Sequence, residues 1–257
     1  MKKVALVTLF CMLLGVVYAQ ESTQSEENAV KKTRERTPIG GRPDLKGDLF
    51  VDFGFNLLNN RPSELNTRFF ASRTLNVSYQ YPIPIFGERS GFSFNPGIGI
   101  GSDRMALRAD STFVTNPTLG PESSMLASIR GLYGDDIQIR RNNFIANYLD
   151  IPLEFRYHFN KSDYNRSFKI AVGAKVGLLM NAHTKVAYTD PDGNRRQIKD
   201  RQNYGLNPIR YGVYTRVAFP GFNFWGYYGL NNIWREGQGP LNTEANQINF
   251  GISVALF

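Results

Sequence analysis

A chain of 257 residues with 42% hydrophobic content and a mean hydropathy of −0.33 is long enough for one large all-β domain. The same figures exclude a membrane protein built from several apolar helices. Its formal charge of +8 favours anionic neighbours, and its aromatic content of 13% is high for a globular enzyme.

At the start, Lys2 and Lys3 precede the apolar run 4–17, which leads to Val17, Tyr18 and Ala19. A basic region, an apolar region and small residues at −3 and −1 predict a secretory signal peptide over 1–19. A lipoprotein signal around Cys11 is the weaker reading, because Phe10 precedes the cysteine and Cys11 lies mid-run. Cleavage would remove the chain's one cysteine, excluding disulfide and thiol chemistry in the mature protein, and would lower the charge by two. Residues 20–46 are polar, charged and without period, as in a flexible periplasmic N-terminal arm.

From Gly47 onward a period of two recurs. In 48–58, Leu49, Val51, Phe53, Phe55 and Leu57 alternate with Phe50, Asp52, Gly54 and Asn56. The segments 74–83 and 91–101 follow, with Leu75, Val77 and Tyr79, then Phe92, Phe94, Ile98 and Ile100, on the apolar side. The fourth, 148–160, reads YLDIPLEFRYHFN: Leu149, Ile151, Leu153, Phe155, Tyr157 and Phe159 against Asp150, Glu154, Arg156 and His158. In 168–178 the polar side holds Lys169, Lys175 and glycines, and in 209–219 it holds Arg210 and Arg216. The segments 222–230 (FNFWGYYGL) and 247–257 complete a set of eight.

Strands of about ten residues match a tilted bilayer crossing, and connections that alternate short and long fit an up-and-down barrel. The long ones are 58–73, 102–143, 180–207 and 231–246. The expected fold is therefore an all-β, eight-stranded antiparallel transmembrane β-barrel over 47–257, with short periplasmic turns and long extracellular loops, in a Gram-negative outer membrane. A soluble ligand-binding barrel would point its apolar side inward, whereas here the second face carries Asp, Glu, Lys, Arg and Gly and suits a narrow polar lumen. Aromatics near the strand ends, among them Tyr79, Tyr81, Phe86, Phe92, Tyr157, Phe159, Phe219, Phe222 and Phe224, fit an interfacial girdle. Phe257 ends the chain one position out of phase with that face.

Asp150, Glu154, Arg156, Lys175, Arg210 and Arg216 form the expected lumen network, with Lys175 diagonal to both Asp150 and Glu154 and serving both. Such a network plugs the barrel or gates a narrow path. The chain carries two histidines. His158 is expected to join the lumen network, and His183 could pair with Asp190 or Asp192 in a surface hydrolase. DPDGN, 190–194, resembles a calcium loop only in its Asp-x-Asp start and reads better as a hairpin tip. The 102–143 loop is long enough for a cap or a docking helix. No metal, nucleotide or other cofactor motif is present.

The signal peptide, the eight segments, Tyr148 to Leu153 and the run FWGYYGL at 224–230 resemble the PorT-like outer-membrane β-barrel family of Bacteroidetes-type bacteria over about 47–257. That resemblance implies a non-enzymatic barrel, and for some members a part in type 9 secretion and gliding machinery. The expected function is anchoring, assembly or secretion through the loops and arm. A narrow pore and a surface hydrolase are the alternatives. Expected partners are outer-membrane lipid, lipopolysaccharide and other envelope proteins, with no nucleic acid for an exported chain.

Overall fold

The structure is a computed structural model, and it describes residues 47–256 apart from 88–89, 109, 161–166 and 220–221. The signal peptide, the N-terminal arm and Phe257 lie outside the described residues. In chain order the strands are β1 (Asp48–Asn59), β2 (Arg73–Gln80), β3 (Ile83–Ile85), β4 (Phe92–Ala106), β5 (Ser111–Asn116), β6 (Gly120–Ser128), β7 (Gln138–His158), β8 (Lys169–Thr189), β9 (Arg195–Arg201), β10 (Ile209–Phe219), β11 (Phe222–Asn232) and β12 (Asn246–Ala255). One helical turn, α1 (Ile129–Tyr133), follows β6.

Eight of these strands close a barrel. Antiparallel pairing runs β1–β2–β4–β7–β8–β10–β11–β12 and returns from β12 to β1. Closure leaves no free edge over the shared height of the wall, so every ladder there finds a partner. Burial alternates along each barrel strand. In β10, Arg210, Gly212, Tyr214, Arg216 and Ala218 are buried, while Ile209, Tyr211, Val213, Thr215 and Phe219 are exposed. The apolar side thus faces out, as the composition of the two faces predicts. Rows of apolar side chains run from strand to strand across the outer wall, such as Val77–Ile100–Leu149–Leu178–Ile209.

At the short-turn end the aromatics form a chain of ring contacts. Phe92 lies 4.5 Å from Tyr157, Tyr157 4.9 Å from Phe159, Phe159 5.1 Å from Phe168, and Phe168 5.1 Å from Phe219. Phe219 and Phe222 continue it at 5.5 Å.

The strands overrun their expected ends. β7 and β8 each span 21 residues, rising well past the apolar rows. Their upper halves escape a dyad reading because their outward residues there are polar: Asn147, Asn143 and Arg141 on β7, Asn181 and Lys185 on β8. A bulge at Asn147/Tyr148 marks the change. The 102–143 segment is largely ordered: its first residues finish β4, β5 and β6 form a hairpin, α1 follows, and β7 begins at Gln138. DPDGN closes the β8–β9 hairpin, with Gly193 at φ +84, where a Cβ would be strained.

Candidate functional site

The inward residues of β1, β2, β7 and β10 build a first ionic cluster toward the short-turn end. Glu154, fully buried, receives Arg156 Nη2 at 2.8 Å and Nε at 3.0 Å, while Arg216 Nε lies 3.6 Å from its other oxygen. Arg156 also donates to Asp48 at 2.6 Å and to Gln80 at 3.1 Å. Arg216 reaches Asp52 at 3.1 Å, bonds Ser253 and the Tyr214 hydroxyl, and stacks 3.8 Å over Phe50. Tyr214 in turn donates to Asp52 at 3.1 Å.

A second cluster lies one layer toward the long connections. Arg210 Nη2 holds Asp150 at 2.7 and 2.9 Å, while its Nη1 bonds Asp103 and donates to Gln247 at 3.2 Å. Its guanidinium lies 3.8 Å over Tyr148. Asp103 accepts from Asn249 at 3.1 Å. Lys175 Nζ sits 3.6 Å from Asp150 and 4.3 Å over Tyr227.

The barrel therefore gathers the six residues read from the sequence, but in two groups. Lys175 stands opposite Pro152 on β7, diagonal to Asp150 and Glu154 as expected, yet its ion-pair contact is with Asp150. Glu154 is taken by two arginines instead: Arg156 reaches one of its oxygens through two nitrogens, and Arg216 lies beside the other. Asp52 and Asp103 complete the network. Asp103 lies two residues beyond the third alternating segment, and β4 continues that alternation far enough to point it inward. Four buried cations thus meet five carboxylates, Asp48, Asp52, Asp103, Asp150 and Glu154. Pairing of this kind keeps charge tolerable in a narrow interior.

Two small cavities lie among these clusters. A cavity of about 10 Å³ lies among Asp52, Asn76, Gln80, Asp150, Lys175 and Tyr214, and another of about 10 Å³ lies beside Tyr148, Arg210 and Tyr227. Each is of the size that holds roughly one water molecule.

Above Arg210 the chain builds an apolar cap that no dyad pattern announces. Leu65, Phe113, Phe144, Tyr204, Leu206 and Trp234 are almost fully buried and belong to one core that also contains Tyr148. Phe113 lies 4.7 Å from Phe144 and 5.8 Å from Trp234, and Phe144 meets Tyr204 edge-on at 5.3 Å. All four long connections contribute: Leu65 from β1–β2, Phe113 from β4–β7, Tyr204 and Leu206 from β8–β10, Trp234 from β11–β12. Burial raises the Tyr204 phenol above its ordinary pKa, so it stays a neutral donor to Asp200 at 3.0 Å.

His158 is half-buried at the short-turn end of β7, opposite Lys169. His183 lies within β8, on the outward wall, opposite Ile145 and Arg201. Asp190 is seven residues away along the strand direction, roughly 23 Å. It accepts from the Asn194 amide at 2.7 Å and from Arg196 at 3.1 Å. The proposed dyad does not assemble, and the first Asp of DPDGN is committed to its own turn.

The outer membrane protein beta-barrel domain family matches this sequence over residues 48–235. The chain belongs to that family. Its place is accordingly the outer membrane, where the outward apolar rows face lipid. Among solved structures, the barrel is similar to Ail, the attachment invasion locus protein of Yersinia pestis, crystallised with the heparin analogue sucrose octasulfate. Identity is 10% and the TM-score 0.38, covering 81% of this chain and 96% of that one. A comparison with curated proteins gave no match.

Proposed function

We propose that this outer-membrane barrel is a closed, non-enzymatic component that anchors or assembles partners through its extracellular superstructure. The carrying observation is the double closure. Two ionic clusters fill the lumen, an apolar cap seals the mouth above them, and β7, β8 and β9 carry ordered surface well beyond the apolar rows. A structure that spends its interior on sealing and its length on projection suits a scaffold better than a conduit. We read residues 1–19 as the export signal and 20–46 as a periplasmic arm available to envelope proteins. The resemblance of Tyr148–Leu153 and of 224–230 to PorT-like barrels of Bacteroidetes-type bacteria supports a place in secretion or assembly machinery.

Two measurements test this. The purified full-length barrel in planar bilayers should show no steady conductance; open-channel currents would favour the pore reading. Photo-crosslinkers placed at exposed Leu132 and Leu119 in living cells should capture a defined envelope protein. Crosslinks to lipid alone would overturn the scaffold reading.

A further inference from the structure

The registers place side chains of the outer wall in lateral rows, and the rows change character with height. The apolar row Val77–Ile100–Leu149–Leu178 is followed one step up by Leu75–Ser102–Asn147–Asn181. The next row is Arg73–Arg104–Ile145–His183–Arg201, five strands wide, or about 19 Å at the usual strand spacing. Directly above stand Lys185 and Lys199, opposite each other, with Arg141 one step higher on β7.

Like charges directly opposite on one face oppose sheet formation, and here that happens twice, at Arg73/Arg104 and Lys185/Lys199. Among the described residues none of these six cations forms an ion pair, although the lumen cations and Arg130, Arg196 and Arg235 all do. Arg73 and Arg104 are instead fixed by carbonyls: Arg73 donates to Phe70 O at 3.1 Å, and Arg104 donates twice to Ala71 O, at 3.1 and 2.9 Å. Those bonds orient the guanidinium groups without neutralising them. Burial, with Lys199, Arg201 and Lys185 beside it, holds the His183 imidazole below its ordinary pKa. The neighbourhood is therefore strongly positive, with no compensating ion pair among the described residues.

We propose that this band binds the phosphate groups of a phosphorylated outer-leaflet glycolipid, whose acyl chains lie along the apolar rows beneath it. Charge complementarity and position choose the occupant. The cations face outward, two steps above apolar rows that require acyl chains, so an anion seated there carries its own hydrocarbon into contact with Ile100, Leu149 and Leu178. A soluble polyanion would satisfy the charges but leave that continuity unused. Arginine suits the role because its fork grips phosphate bidentately.

The test uses the full-length barrel in detergent, incubated with bis-phosphorylated lipid A or with chemically dephosphorylated lipid A, and native mass spectrometry as readout. The wild type should retain the phosphorylated form by about tenfold or more over the dephosphorylated one. Replacing Arg73→Gln, Arg104→Gln, Lys185→Gln and Lys199→Gln together should abolish that preference, and Lys199→Gln alone should reduce it. These side chains stand on the exterior wall, and an unchanged circular dichroism spectrum confirms the fold. Equal retention of the two lipids by the wild type, or an undiminished preference in the quadruple variant, overturns the proposal. Displacement of the lipid by inorganic phosphate at equal phosphate concentration would show a simple anion site and overturn it as well.

Discussion

Arg210 and Asp150 meet across an intervening strand. Gly177 on β8 lies directly between them in register, opposite Arg210 on one side and Asp150 on the other. A Cβ at Gly177 would run into both partners, so the missing side chain is what lets Arg210 Nη2 come within 2.7 Å of Asp150. Gly101 on β4 leaves room for the same pair from the other side.

Arg210→Met should therefore be among the most damaging lumen changes, because it removes the ion pair of Asp103 and leaves Asp150 only its longer contact with Lys175. Breaking a buried pair costs about 3–5 kcal/mol. Adding Asp150→Asn should recover part of that loss, while Gly177→Val in the wild type should mimic it. Urea unfolding in lipid vesicles measures all three. A loss under about 1 kcal/mol for Arg210→Met would mean the pair is hydrated rather than sealed.

Glu154 and Lys175 should behave as independent sites. Glu154 is held by Arg156 and Arg216, so Glu154→Gln weakens two guanidinium contacts at once. Lys175→Met leaves Asp150 with Arg210 still in place. Glu154→Gln should thus cost more than Lys175→Met, and the double variant should be additive within about 0.5 kcal/mol. A coupling well above that would show the two residues in contact.

Where the membrane imposes two unlike faces, the sequence states the fold almost completely. Leu149 to Phe159 declare their outward side, and Asp150, Glu154 and Arg156 their inward side, because lipid on one hand and a narrow polar lumen on the other each demand one residue class. The rule lapses above the bilayer. Asn143 and Arg141 continue the same strand with polar side chains outward, so β7 reads as loop where it is ladder. The partners within the lumen were legible only as candidates. That Arg216 also reaches Glu154 depends on the stagger of β10 against β8, which the 28-residue span 180–207 hides from any hairpin argument. The cap was invisible for a related reason: Phe113, Tyr204 and Trp234 come together from three connections, with no period to link them.

The two faces should respond oppositely to polar change. Leu153→Arg places a charge against acyl chains and should cost about 2–4 kcal/mol near the bilayer midplane. Asn76 faces the interior, and neither of its side-chain polar atoms finds a partner among the described residues. Asn76→Ser should accordingly be nearly neutral, since it removes buried polar atoms without breaking a bond. Unfolding in vesicles compares them directly. Equal losses at the two positions would invert the face assignment.

The cap and the barrel should prove separable. Trp234 is packed against Phe113 and almost wholly buried, so Trp234→Ala opens a large cavity in a core that four connections share. Truncating a buried aromatic of that size costs about 3–5 kcal/mol. The loss should fall on the cap, because the closed ladder from β1 to β12 does not run through Trp234. Limited proteolysis of the variant in vesicles should then cut within 107–137 and 195–207 while the membrane strands stay protected. Conductance should remain absent, because Arg210, Asp150, Arg216 and Glu154 still fill the lumen one layer below. Steady current through Trp234→Ala would show that the cap alone closes the barrel, and that the ionic clusters beneath it leave a path.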